Sequence, residues 1–331
     1  MKQAKDTRTR YQVTPEPDDI VVDHSTMSAW AKCETLAVVE YGLGLKSKQQ
    51  GPQLTYGQVG HAAMARWFEG GGAEEVVEFY GERAERDLAP ALERLPAEDL
   101  ERGRLAIPRT QQILKAWFAH RPRETFPLRV EPSDTELAIS APIMTLKDGR
   151  RVVYVALLDA LGTRRTGGRW SMDHKFVKAL TPWWKGKQED SGQFTGQMWL
   201  QGEHGLGLAG VYINGIEVPY RKTGTRTCAD HGVPYAKCDT KHVKHDLFPI
   251  TRSKLEIVAW QQTVRRAIPR WVKWRDYVEG LDEIGAVSMS GRLNESCTFC
   301  SHREWCRVGR PVRGQADWFV EERWDPLAER E

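Results

Sequence analysis

Two neighbouring segments constrain this chain more than any other part of it. Arg151-Val152-Val153-Tyr154-Val155-Ala156-Leu157-Leu158-Asp159 is a run of β-branched and apolar residues that ends on a carboxylate, and Trp170-Ser171-Met172-Asp173-His174-Lys175 follows it. Between them, Gly162-Thr163-Arg164-Arg165-Thr166-Gly167-Gly168 has the composition of a turn, so the segments read as the arms of a β-hairpin. A turn centred near Thr166 sets Asp159 opposite Asp173, with Cβ atoms roughly 5 Å apart. Side chains alternate along a strand, so Asp173 and Lys175 project to one face and His174 to the other.

Directly opposed carboxylates repel, and a sheet gains no stability from placing them there. A divalent cation between them removes the repulsion. Oxygen ligands of this kind suit Mg²⁺ or Mn²⁺, and Lys175 beside the ion could orient or polarise a water. The same residues also fit a solvated hairpin, with Asp159 at a turn and Asp173 and Lys175 as surface charges.

The remaining bounds are broad. The 331 residues suffice for one large domain or two small ones. Lys+Arg 48 against Asp+Glu 45 leaves a net charge of +3, so any nucleic-acid binding rests on local patches. The opening residues Met1 to Arg8 contain no apolar core region, and no run of about 18 apolar residues occurs, so a soluble, unexported protein is expected. Six cysteines in such a chain point to metal or reactive thiols, not disulfides.

In chain order, residues 1–24 read as a flexible polar arm. Ser25 to Cys33 reads as a capped helix delivering Cys33, and Tyr56-Gly57-Gln58-Val59-Gly60-His61 leads into a helix whose start carries His61. Residues 73–120 read as amphipathic helices broken at Pro90, Pro96 and Pro108. Thr135 to Ser140 alternates as a strand. Pro182-Trp183-Trp184-Lys185-Gly186-Lys187 reads as a mobile loop with aromatics among cations, in which the tryptophans either stack on single-stranded bases or, one or both, belong to the core. A helix over 189–205 puts Gln193 and Gln197 on one face, Leu208 to Val218 is apolar enough for a strand, and Ser253 to about Gly280 forms a long helix bearing Arg265, Arg266, Arg270, Lys273 and Arg275. Residues 219–250 are a polar excursion. In it Cys228, His231, Cys238, His242 and His245 form either a zinc-binding loop or an insertion that happens to hold two cysteines.

Taken together these residues resemble the PD-(D/E)XK nuclease superfamily, in particular its RecB-like branch with an iron–sulfur cluster. The resemblance is carried by the Cys33 helix, Gly57-Gln58-Val59-Gly60-His61, the strand ending in Asp159, and Asp173-His174-Lys175. It continues with Gln193-Phe194-Thr195-Gly196-Gln197, where Gln197 replaces the family's Tyr, and with Cys297, Cys300 and Cys306 in a Cys-x2-Cys-x5-Cys pattern. It implies one α/β nuclease domain over 25–310: a restriction-endonuclease-like mixed central sheet flanked by helices. Residues 62–125 would be an N-terminal helical insertion, 219–250 a polar insertion, 297–306 a cluster-binding segment and 311–331 a tail.

The resemblance also implies roles. His61, Asp159, Asp173 and the His174 carbonyl would bind Mg²⁺ or Mn²⁺. Lys175 would activate water, Gln193 would hold substrate or orient Lys175, and an earlier Glu, Glu136 or else Glu131, would assist. Cys33, Cys297, Cys300 and Cys306 would hold a [4Fe–4S] cluster. The implied activity is cleavage of DNA, favouring single-stranded ends, in recombination, repair or phage DNA processing, in the cytoplasm or in the host cytoplasm if phage-encoded. No phosphate-binding Gly-x4-Gly-Lys-Ser/Thr motif occurs, so any helicase would be a separate partner. A catalytically weak DNA-binding or assembly protein of the same fold is the alternative, though Asp159, Asp173 and Lys175 are all present.

Overall fold

Six stretches rich in β-branched and apolar residues pair into one mixed sheet, and helices cover both of its faces. The computed structural model describes residues 11–14, 16–47, 53–93, 97–177, 179–207, 210–218, 245–279, 297–298, 300–307, 319–322 and 324. In chain order the elements are β1 (Ile20–Val22), α1 (His24–Lys32), α2 (Glu34–Ala37), a π-helical turn (Val38–Gly42), β2 (Leu45–Ser47), α3 (Gln53–Phe68), α4 (Ala73–Leu92), α5 (Ala97–His120) and β3 (Leu128–Thr145). Then come β4 (Arg151–Arg164), β5 (Arg169–Val177), α6 (Pro182–Glu189), α7 (Gly192–Glu203), β6 (Val211–Glu217), β7 (His245–Ile250), α8 (Lys254–Glu279), α9 (Arg303–Arg307) and β8 (Phe319–Glu321). The architecture is the expected α/β one, a mixed central sheet flanked by helices.

The sheet runs β1-β4-β5-β6-β7, with β3 on the other edge of β4. β1–β4 and β5–β6 are parallel, and the remaining pairs are antiparallel. β1 and β5 share one edge of β4: β1 takes Val152 to Tyr154, and β5 takes Ala160 to Thr163. Residues 155–159 pair with neither, so a notch opens in the sheet beside Asp159. One face packs Leu137, Ile139, Tyr154 and Ile213 against Phe194 and Met198 of α7 and Ile257, Val264 and Trp271 of α8. The opposite face packs Met172 and Ile216 against Met64 and Trp67 of α3, Tyr80 of α4 and Trp117 of α5. A third cluster joins the two ends of the chain through Val38, Val39, Leu45, Val278, Trp305 and Phe319.

Several local expectations are corrected. Residues 11–14 and 16–23 of the expected arm are bound to the sheet. The β-branched Ile20-Val21-Val22 pairs with β4, the Ser140 N–H donates to the Tyr11 carbonyl, and Arg151 grips Asp19 at 2.6 Å. The Trp183–Trp184 segment is helix, not loop: Pro182 opens α6, and the Thr181 hydroxyl accepts from the Trp184 N–H at 3.1 Å. His61 lies more than two turns inside α3, not at its start. Gly60, taken as a start signal, has a packing reason instead, since a Cβ there would lie 2.4 Å from the Phe176 ring.

Pro90 and Pro108 lie within α4 and α5 and break neither helix. Pro108 is exposed, and the apolar stripe of Ile107, Leu114, Trp117 and Phe118 outweighs the one hydrogen bond it removes. The polar excursion ends earlier than expected, because residues 245–250 form β7. Cys228, His231, Cys238 and His242 lie outside the described residues. In the expected tail, β8 pairs antiparallel with β2.

Candidate active site

The registers of β3, β4 and β5 align three carboxylates. Thr135 faces Ala160 and Leu137 faces Leu158, so Glu136 stands opposite Asp159. Ala160 faces Met172, and the next position along sets Asp159 opposite Asp173. Two departures from regular geometry accompany this row of like charges. The β4–β5 ladder stops at Ala160–Met172, and Asp159 Oδ2 accepts the His174 N–H at 2.6 Å in place of a strand carbonyl. Glu136 adopts φ 47°, the left-handed region that non-glycine residues rarely enter. Backbone strain of this kind costs about 1–3 kcal/mol and gathers at functional sites. The N–H and C=O of a strand residue leave on the same edge, so the His174 carbonyl is directed to the same notch as its N–H.

Helix α3 brings in a candidate nitrogen donor, His61. His61 Nδ1 lies 3.0 Å from Asp159 Oδ1, and one ligand atom each from His61, Glu136 and Asp159 lie within 4.8 Å of one another. Of the two candidate glutamates, Glu131 is on the surface, paired with Arg129 at 3.2 Å. Asp173 lies beside this trio and is turned to other partners. Its Oδ1 accepts from Gln193 Nε2 at 2.8 Å, its Oδ2 is 2.8 Å from Lys175 Nζ, and Lys175 also donates to Gln193 Oε1 at 3.2 Å. Asp173, Lys175 and Gln193 thus form a closed triangle, with the Lys175 ammonium 5.6 Å from the Phe194 ring centre.

Burial and neighbouring charges divide the protonation of the two aspartates. Burial pushes Asp159 up, but the His61 imidazole and the His174 N–H pull it well below the usual carboxylate range. Burial raises Asp173, opposed by Lys175 and reinforced by the Asp159 charge, so its net direction is upward. For His61 burial opposes protonation, and the adjoining Asp159 more than offsets it, so the net direction is upward. Burial lowers His174 to about 3, which leaves its imidazole neutral. That ring acts on the far face of β5. The Trp117 indole N–H, which can only donate, gives to Asn214 Oδ1 at 3.1 Å, so the Asn214 amide nitrogen faces His174 Nδ1 at 2.8 Å. This buried chain fixes β5 where the His174 carbonyl meets the notch.

Gln197, at the family's Tyr position, is buried and accepts from the Ser171 hydroxyl at 3.4 Å. Gln201 donates to the same hydroxyl at 3.0 Å. Gln193, Gln197 and Gln201 therefore run along one side of α7 over alternate residues of β5. Asn214, Ser171, Gln201 and His24 escaped the sequence reading. A polar Asn within an otherwise apolar strand was the available signal, because a buried amide requires partners. His24, near Lys175 and Gly192, is lowered to about 4 by burial.

Cys306 packs against the third core cluster. Cys33 caps the end of α1, Cys300 N–H donates to the Cys297 carbonyl at 3.3 Å, and Cys306 N–H donates to the His302 carbonyl at 3.0 Å. Burial pushes the Cys300 thiol up, and the nearby Cys33 and Cys297 push it further. His245, from the candidate zinc loop, instead lies 3.5 Å from Arg121. The basic residues of α8 are partly committed to packing: Arg265 donates to the Ile143 carbonyl at 2.7 Å, and Arg270 pairs with Glu34 at 2.7 Å.

The sequence model of the PD-(D/E)XK nuclease superfamily matches residues 23–307, nearly the whole chain, and the chain belongs to that superfamily. Its nucleases use divalent metals, and the mixed sheet with its acidic row is consistent with the family's fold. No curated protein matches the chain. Among solved structures, the one described as "Crystal structure of SSO0001" aligns over 92% of this chain and 94% of its own, at 11% identity and a TM-score of 0.33. No helix among the described residues is long and apolar enough to cross a membrane.

Proposed function

We propose that this chain is a divalent-metal-dependent deoxyribonuclease that degrades DNA from single-stranded ends. The observation that supports this best is the row Glu136–Asp159–Asp173 across three adjacent strands, with His61 at one side and the Lys175–Gln193 pair at the other. Asp159, Glu136 and His61 offer mainly oxygen ligands at a spacing that one cation can share, and they fit Mg²⁺ or Mn²⁺. The His174 carbonyl and Asp173 border the same notch. A divalent ion bound there stabilises charge building on the phosphoryl oxygens and lowers the pKa of its water.

The chain's own residues do the rest. Asp159, held ionised, keeps a full negative charge for the ion. Lys175 orients the attacking water and, with Gln193, stays fixed against Asp173. Glu136 contributes from β3 under backbone strain. In the same reading Cys33, Cys297, Cys300 and Cys306 hold a [4Fe–4S] cluster of the RecB-like branch. Four thiolates are the donor set such a cluster takes, and Cys33 and Cys297 lie near Cys300. The ends would be those exposed during recombination, repair or phage DNA processing, and any helicase acting with the chain would be a separate partner.

The end requirement is tested with linear and circular single-stranded DNA of equal length in Mn²⁺. Degradation of the linear form to short products with the circle intact is expected. Nicking of the circle at the same rate would contradict an exonuclease.

A further inference from the structure

Trp183 and Trp184 are adjacent in sequence and opposite in environment. Trp184 is buried, and its indole lies on Gly215, where an added Cβ would come within 2.5 Å of the ring. Phe248 meets the same indole edge-on at 5.9 Å. Gly215 is the register partner of Lys175, and neighbouring strands lie about 4.8 Å apart, so Trp184 fixes α6 to the sheet one strand from the lysine, on the lysine's face. Trp183 points away from this anchor and is 76% exposed.

The position of α6 is determined from both ends. It follows the strand that carries Asp173 and Lys175 and precedes the helix that carries Gln193. Arg252 joins its last turn to α7, donating to the Glu189 carbonyl and, at 3.1 Å, to the Thr195 hydroxyl. One turn beyond Trp183, the Lys187 ammonium sits 5.6 Å from its ring centre and is itself exposed. Large aromatics normally bury most of their surface. Here α6 instead presents an indole and a cation to solvent, anchored one strand from Lys175.

We propose that Trp183 is a stacking platform for an unpaired base of the DNA strand entering the active site, with Lys187 facing the backbone of the same strand. This rests on the nuclease reading above and names what the site selects, a strand whose bases are free to stack. Paired bases in a duplex already cover each other's faces and offer none to an indole. Stacking of this kind is tolerant of sequence, because every base has a π face, and removal of one platform costs roughly 5- to 150-fold in affinity.

The test is fluorescence anisotropy in EDTA, where no cleavage occurs, using the full chain. Three labelled probes are compared: an oligothymidylate, an abasic strand of equal length, and a blunt duplex. The Trp183→Ala variant should lose affinity for oligothymidylate by that factor and barely change towards the abasic strand or the duplex. Trp183→Phe should restore much of the loss, which a purely structural role would not predict. Equal binding of oligothymidylate by the wild type and Trp183→Ala would overturn the proposal and assign the exposed indole to another partner, such as a protein. A wild type that binds none of the three probes would remove the nuclease reading itself, and the stacking platform with it.

Discussion

Glu136 carries the clearest mark of function at the scale of a single residue. A φ of 47° is unfavourable for a side chain with a Cβ, and glycine would adopt it freely. Glu136→Gly should therefore keep or slightly raise thermal stability, by up to about 1 kcal/mol, while metal-dependent cleavage falls by orders of magnitude. Parallel melting curves and cleavage assays check this, and a destabilised variant with full activity would refute it.

The sequence could not separate Glu136 from Glu131, and the structure shows the reason. A register shift between Val130 and Thr135 breaks the alternation on which that inference depends. Asp159, Asp173 and Lys175 were legible because the turn of their hairpin falls where glycines and a threonine put it, which sets the register. The support from Asn214 and Trp117 was not, since it depends on contacts between segments nearly a hundred residues apart.

Among elements, the long ones could be read from periodicity and the short ones could not. Helix α8 stands close to its expected bounds, while strand β4 starts where expected and runs five residues past Asp159 to Arg164. Strand β1 has three residues and would have no stability alone, so only its pairing with β4 reveals it. Gly60 misled for a related reason: a glycine that permits close approach inside a helix looks in sequence like one that marks its start. Docking of β1 depends on the Asp19–Arg151 pair. The Arg151 guanidinium holds the Asp19 carboxyl below its ordinary value of 3.8. A depressed folded pKa contributes stability that is present above that ordinary value and lost as pH falls through the lower folded one. Asp19→Asn should therefore flatten the acid limb of the stability curve below about pH 4 without altering its neutral plateau beyond a constant offset. Hydrogen exchange at Ile20 to Val22 measures this, and an unchanged acid limb would contradict it.

At the scale of the whole molecule, the two ends of the chain meet in one small core. Val38, Val39 and Leu45 from the beginning pack with Trp305 and Phe319 from the end, and β2 pairs with β8. Cys306 packs beside this junction. Protein purified without oxygen should be brown and carry about four irons per chain. Cys33→Ser should lose colour and melt at a lower temperature, because it releases a loop closure spanning most of the chain. Colourless anaerobic protein with one bound zinc and no iron would overturn the cluster. The sequence made the cysteine pattern visible, but the core that gathers those ends is assembled from residues too scattered to be read in advance.

We propose that the notch between β4 and β5 hydrolyses DNA through a divalent ion and Lys175. The most direct measurement is cleavage of end-labelled single-stranded DNA by the wild type, Asp159→Ala and Lys175→Ala in Mn²⁺, with EDTA as control and circular dichroism to verify folding. The wild type should cleave only with metal, and both folded variants should lose at least about 100-fold in rate, the scale on which single catalytic groups contribute. Undiminished cleavage by either variant, or robust cleavage in EDTA, would contradict the account.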